Sequence, residues 1–168
     1  DHLNRSAFIQ GTAVQSFEEA FAHYTGMPHA LGVANGTAAL ELVLEALGIG
    51  AGTAVIVPSM TFTATAEAVV RQGATPIFAD IDAASWCLTA KTVEEAVTRS
   101  TLPVKAVILV HLHGRVDPSI TALRRWCDTH GAALIEDCAQ AHGARLAEGG
   151  KSLHAGAWGA AATFSFYP

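Results

Sequence analysis

Short unbroken apolar runs recur along this chain, each separated from the next by a stretch with helical spacing. The runs are residues 30–33, 54–57, 75–78, 104–110 and 132–135, with a weaker one at 161–166. Most do not alternate apolar with polar residues. A strand with one wet face must alternate, so a continuous run reads as a strand covered on both faces. The intervening stretches, residues 12–24, 37–47, 61–72, 91–99 and 118–130, read as helices. In the first, Val14, Phe17 and Phe21 recur at helical spacing; in the second, Leu40, Val43, Leu44 and Leu47 share a face. Gly48, Gly73 and Gly131 follow three of them, where a left-handed residue ends a helix. Asp117-Pro118 reads as an N-cap followed by proline at the first helical position. Strands alternating with helices predict a mainly parallel sheet joined by right-handed crossovers. Gly149-Gly150-Lys151 reads as a hairpin or loop tip.

Composition narrows the function. Of the 168 residues, 51% are hydrophobic and 15% charged, which suits a buried sheet and excludes a disordered chain. The net charge of −5 includes no basic cluster able to track phosphates, so a nucleic-acid partner is not expected. No apolar run approaches the roughly 20 residues of a membrane span. Residues 1–5 lack the pattern of a secretory leader. Cys87, Cys127 and Cys138 are odd in number and far apart, and read as reduced thiols of a cytoplasmic protein.

Four segments could carry chemistry. Asn35-Gly36-Thr37-Ala38 sits where an apolar run turns into a helix. Free N–H groups and the Thr37 hydroxyl would suit a phosphate there, or the segment is a turn with Thr37 as a plain cap. Neither a Walker loop nor a dinucleotide glycine fingerprint is present. Glu136-Asp137 ends a buried run, the place where open α/β sheets bind ligands. A buried aspartate needs a cation or donors. A protonated pyridine nitrogen, a metal shared with His142 and His111, or a helix to cap would each serve. Thr61 could cap the next helix, and Phe62 could lie over a flat ring or in the core. His111 and His113 at i and i+2 leave a metal site short of a third ligand, so no metal is expected.

Taken in order, these segments resemble the DegT/DnrJ/EryC1/StrS family of aminotransferases, which depend on pyridoxal phosphate (PLP). The resemblance runs through Phe17-Glu18-Glu19-Ala20-Phe21, Asn35-Gly36-Thr37-Ala38-Ala39-Leu40, Val57-Pro58-Ser59-Met60-Thr61-Phe62 and Phe78-Ala79-Asp80-Ile81-Asp82. It continues through Val110-His111-Leu112-His113-Gly114, Glu136-Asp137-Cys138-Ala139-Gln140-Ala141-His142-Gly143 and Thr163-Phe164-Ser165-Phe166-Tyr167-Pro168. It implies the aspartate-aminotransferase (type I PLP) fold, an α/β/α sandwich of three layers around a mainly parallel sheet. Residues 1–168 would be the N-terminal part of the large domain. The rest of that domain and a small C-terminal domain would lie beyond.

The resemblance also implies roles. Gly36, Thr37, Ala38 and Ser165 would hold the cofactor phosphate. Phe62 would stack on the pyridine ring, Asp137 would pair with its nitrogen, and Gln140 would bond its phenolic oxygen. His142 and His111 would support that shell. The family's Schiff-base lysine is expected two residues after Pro168 and is absent from this sequence. The implied reaction moves an amino group from an amino acid, with glutamate the expected donor, to a nucleotide-linked keto-sugar, in a homodimer. Two rivals stay open: a sugar dehydratase carrying histidine in place of that lysine, and a non-catalytic relative with a binding or regulatory role. The Gly114-Arg115-Val116-Asp117-Pro118 loop, Cys138 and Ala160 depart from the family pattern.

Overall fold

The computed structural model describes residues 11–167. The expectations for residues 1–5 and for Pro168 lie outside them. The elements run α1 Thr12–Thr25, α2 Gly36–Ala46, β1 Ala54–Pro58, α3 Ala64–Arg71, β2 Thr75–Ala79, α4 Ala90–Val97 and β3 Val104–Val110. A 3-10 turn at Leu112–Gly114 follows, then α5 Ile120–His130, β4 Ala133–Asp137, β5 Arg145–Glu148, β6 Lys151–His154 and β7 Ala161–Thr163. Five strands form one sheet in the order β2-β1-β3-β4-β7, every pairing parallel. β5 and β6 form a separate antiparallel hairpin, tipped by Gly149 and Gly150 at φ +56° and +77°. Two consecutive positive φ values are what a two-residue hairpin turn demands.

The continuous apolar runs are explained by layers on both faces. Successive strand side chains point to opposite sides. Val55, Val57, Ile108 and Ile135 pack with Leu40, Leu44 and Val69 under α2 and α3. Ile56, Val107, Leu109 and Leu134 pack with Val93 and Leu123 under α4 and α5. The result is the expected three-layer α/β/α sandwich. No helix among the described residues is long and apolar enough to cross a membrane.

Several boundaries differ from the sequence reading, for local reasons. Residues 30–33 are not a strand. Leu31 is 80% exposed, and the Gly32 N–H donates to Glu18 Oε1 on α1 instead of to a neighbouring strand. An apolar run without a periodic signature does not reveal whether a sheet edge is within reach. α3 starts at Ala64 because Ser59–Thr61 bend away from the end of β1. α5 starts at Ile120, after Asp117 Oδ1 has accepted from the Ser119 N–H, so Asp117 closes a turn before the helix instead of capping it. β7 stops at Thr163, and Phe164–Phe166 leave the sheet to pack by their rings against α1. Gly48, Gly73 and Gly131 do end helices with positive φ.

All five parallel strands end at one edge of the sheet, at Pro58, Ala79, Val110, Asp137 and Thr163. That edge is where the chemistry-bearing segments emerge. The helix layers fix its geometry, so truncating their core should be costly. Leu44→Ala in the full-length protein, at a fully buried position, is expected to lose about 2–5 kcal/mol by denaturant unfolding. A loss below about 1 kcal/mol would contradict a core packed against α2.

Candidate active site

Consecutive residues of β4 point to opposite faces, and the two carboxylates at its end do different work. Glu136 faces the α4/α5 side and is fully buried. Its Oε2 accepts from His111 Nε2 at 2.7 Å and from the Gly156 N–H at 2.8 Å. Its Oε1 accepts from the N–H groups of Trp158 (2.7 Å) and Gly159 (2.5 Å). Taking a carboxylate out of water costs several kcal/mol. Four donors, three of them backbone, offset that cost and cinch residues 156–159 against the sheet. A side chain at Gly159 would collide with Leu134 O at 2.8 Å, so only glycine fits there. His111 Nδ1 lies 3.1 Å from the Arg115 carbonyl. Both ring nitrogens thus lie within hydrogen-bond reach of oxygens.

Asp137 faces the other way, towards α2 and α3, and is 7% exposed. Oδ2 accepts from the Thr65 hydroxyl at 3.2 Å and Oδ1 from the Ala139 N–H at 3.1 Å. Burial pushes its carboxyl above the ordinary range. The Ala139 N–H, the Thr65 hydroxyl and the charge of His111 pull the other way without cancelling it. No helix follows β4 directly, so the capping reading of Asp137 is set aside. What remains is a buried carboxyl in want of a cation.

The remaining candidates lie on segments near the same edge of the sheet. Asn35, not Thr37, caps α2, its Oδ1 accepting from the Ala38 N–H at 2.9 Å. The N–H groups of Gly36 and Thr37 have no partner among the described residues. A Cβ on Gly36 would come within 3.0 Å of the Ser165 Cβ, so the helix start and the Ser165 loop touch only because residue 36 is glycine. These two N–H groups, with the Thr37 and Ser165 hydroxyls nearby, form a cradle fit for a phosphate. Beside it opens a groove of about 1080 Å³, with Phe17, Gly36, Thr163 and Ser165 among its lining. Phe62, 74% exposed, is free to cover a flat ring. It follows Thr61, whose hydroxyl lies 2.9 Å from that of Thr65. Gln140 Oε1 accepts from the His113 N–H at 2.9 Å, which leaves its amide Nε2 as the donor facing outward.

Two expectations separate here. His111 joins Glu136, whereas His142 lies on the aromatic side, 4.8 Å from the Phe166 ring and 5.5 Å from Phe164. Partial burial and His154 lower its pKa. The two histidines therefore do not converge on the carboxylates. Instead the ligand atoms of His111, Glu136 and Cys138 lie within 4.8 Å of one another. The Glu136 oxygens are already taken up by donors, and burial with two adjacent carboxylates pushes the Cys138 thiol well up. That chemistry describes a hydrogen-bonded anchor. Cys87 and Cys127 are also free and buried, their thiols pushed up to about 11 and about 12.

The fold that carries the buried carboxyl and the cradle matches known proteins. The sequence profile of the DegT/DnrJ/EryC1/StrS aminotransferase family matches residues 1–168. The chain belongs to this family. It is 46% identical, over 92% of its own length and 34% of the relative's, to an L-glutamine:2-deoxy-scyllo-inosose aminotransferase of Streptomyces kanamyceticus. It is 44% identical to a UDP-N-acetyl-3-dehydro-alpha-D-glucosamine 3-aminotransferase of Acidithiobacillus ferrooxidans, over 99% of this chain and 43% of that one. Among solved structures, a DegT/DnrJ/EryC1/StrS aminotransferase from Brucella abortus superposes with a TM-score of 0.90 at 36% identity, covering 99% of this chain and 44% of that one. The family and these structural neighbours are PLP-dependent aminotransferases of the type I fold. The chain spans under half the length of these relatives.

Sequence reasoning missed Thr65 and Thr163, and saw Glu136 only as one of a pair. Nothing in the run Gly156-Ala157-Trp158-Gly159 announces that its N–H groups converge on one carboxylate.

The raised carboxyl of Asp137 sets a pH dependence. The folded state holds that proton more tightly than the unfolded state does. Its contribution to stability is therefore full below the ordinary carboxyl pKa and is lost as pH rises through the folded value. Melting of cofactor-free full-length protein should show this loss on the alkaline side of the carboxylate range. Asp137→Asn should flatten that part of the profile, and an unchanged profile would contradict the assignment.

Proposed function

We propose that the complete protein transfers an amino group from an amino acid to a keto-sugar carried on a nucleotide, using PLP, as a homodimer of which residues 1–168 form the N-terminal part of the large domain. The observation that carries the reading is Asp137, a buried carboxyl at the sheet's C-terminal edge, one strand away from the segment leading to the Gly36–Ser165 cradle. A cation partner and a phosphate cradle on one edge suit a phosphorylated pyridinium.

The residues have distinct tasks in this reading. The N–H groups of Gly36 and Thr37, with the Thr37 and Ser165 hydroxyls, bind the phosphate and fix the cofactor's long axis. Ala38 contributes through the helix start, its own N–H being held by Asn35. Asp137, ionised against the ring nitrogen, keeps that nitrogen protonated, and Gln140 donates its Nε2 to the phenolic oxygen. Phe62 covers one face of the ring and shields it from water. The cofactor itself supplies the electron sink that lets the donor's α-carbon give up its proton. A lysine two residues after Pro168 would move that proton and hold the cofactor covalently.

Glutamate is the expected donor. The Streptomyces kanamyceticus relative is named for L-glutamine and for 2-deoxy-scyllo-inosose, a substrate not named as a nucleotide derivative. That likeness supports a second reading, with glutamine as donor and a free cyclic ketone as acceptor. Relatives named for UDP- and dTDP-linked sugars support the first.

Assaying the full-length protein with glutamate and with glutamine, against keto-sugar nucleotides and keto-cyclitols, separates the two. Asp137→Ala should lower turnover by about 100-fold or more with whichever pair is used. Full activity in that variant would refute the assignment.

A further inference from the structure

Among the described residues, one buried side-chain oxygen has no hydrogen-bond partner: the hydroxyl of Thr163, the last residue of β7. Thr163 is 3% exposed, so bulk water does not reach it. A buried hydroxyl without a partner is destabilising, and valine would fill nearly the same shape without that cost. The residue therefore holds a polar group where packing alone asks for an apolar one.

Its neighbour in the sheet is Asp137. β4 and β7 pair in parallel with Asp137 opposite Thr163, and the Cys138 N–H donates to the Thr163 carbonyl at 2.8 Å. Register partners on adjacent strands lie about 4.8 Å apart and project to the same face. The hydroxyl thus belongs to the α2/α3 side, with the Asp137 carboxyl, and Thr163 also lines the groove that runs past Gly36 and Ser165.

The carboxyl has room for another donor. Its two oxygens accept one bond each, from Thr65 and from the Ala139 N–H. An ionised carboxylate offers about four acceptor positions. In the absence of a cation, burial drives Asp137 towards its neutral form, which needs fewer donors. A cation facing it restores the full acceptor capacity in a place water does not reach.

We propose that Thr163 is a positioning residue for the cofactor: its hydroxyl donates to the Asp137 carboxylate when a protonated ring nitrogen faces that carboxylate. Rotation by roughly 120° around χ1 carries the hydroxyl to a second staggered position, so the donor is brought to bear without moving the strand. The inference rests on the reading that Asp137 pairs with the cofactor ring.

The test uses the full-length protein as wild type, Thr163→Val, Thr163→Ser and Asp137→Asn, and the Thr163→Val/Asp137→Asn double variant. Two quantities are read: the melting temperature without cofactor, and the PLP dissociation constant by absorbance titration. Thr163→Val should melt at the wild-type temperature or higher, because it removes an unpartnered hydroxyl, and should bind PLP about fivefold or more weakly. Thr163→Ser should retain PLP affinity to within about twofold. In the Asp137→Asn background, Thr163→Val should cost no further affinity, since the two act as one unit. Opposite movements of stability and affinity are what a purely structural threonine would not give.

Wild-type PLP affinity in Thr163→Val, with affinity lost in Asp137→Asn, would overturn the proposal and leave the Asp137 reading intact. So would a lowered melting temperature in Thr163→Val, which would show that the hydroxyl already has a partner without cofactor. An equal affinity loss in both backgrounds would place the hydroxyl's action elsewhere. Unchanged affinity in Asp137→Asn would overturn the Asp137 reading and this inference together.

Discussion

The carboxylate of Glu136 holds the active edge of this sheet together. It is fully buried and receives four hydrogen bonds, from His111 at the end of β3 and from the N–H groups of Gly156, Trp158 and Gly159 in the segment leading to β7. Two pieces of chain that are distant in sequence are thereby tied to one side chain of β4. Gly159 cannot accept a Cβ, and Gly156, at φ +100°, would press one within 2.9 Å of Ala162. Such close approach is the condition for β7 to lie in register with β4. That register in turn sets Thr163 beside Asp137 and delivers Ser165 to the start of α2.

Division of labour between adjacent carboxylates follows from strand geometry. Glu136 and Asp137 differ by one position, so they point to opposite faces. Glu136 meets a full complement of donors and anchors the scaffold. Asp137 meets only two, and burial holds its carboxyl above the ordinary range. An under-satisfied carboxyl next to a fully satisfied one is costly for folding alone and useful for holding a cation. Rigid anchoring on one face is what allows the other face to keep that group poised.

Much of this was legible in the sequence. Continuous apolar runs such as 54–57 and 104–110 announced strands buried on both faces, and the glycines after α2, α3 and α5 marked where those helices stop. Asp137 and Gly36 were visible because strand ends and helix starts are where α/β sheets expose unpaired polar groups, whereas Ser165 was marked only by the family resemblance. The run at 30–33 misled because apolar character reports burial or contact, not pairing. Its neighbour is α1, and its residues line the groove. His142 and His111 looked equivalent by type, and only tertiary packing sends one to Glu136 and the other to Phe166. Backbone donors carry no residue signature, which is why the role of 156–159 was illegible. Thr163 was invisible for a related reason: an unpartnered hydroxyl is a property of surroundings and not of composition.

PLP titration of the full-length protein, followed by borohydride reduction and mass spectrometry of the labelled peptide, tests the account most directly. Saturable binding with the label on a lysine two residues after Pro168, lost or strongly weakened in Asp137→Asn, is the result the account predicts. Binding without a covalent label would contradict the aminotransferase reading. No binding at all would contradict the cofactor site itself.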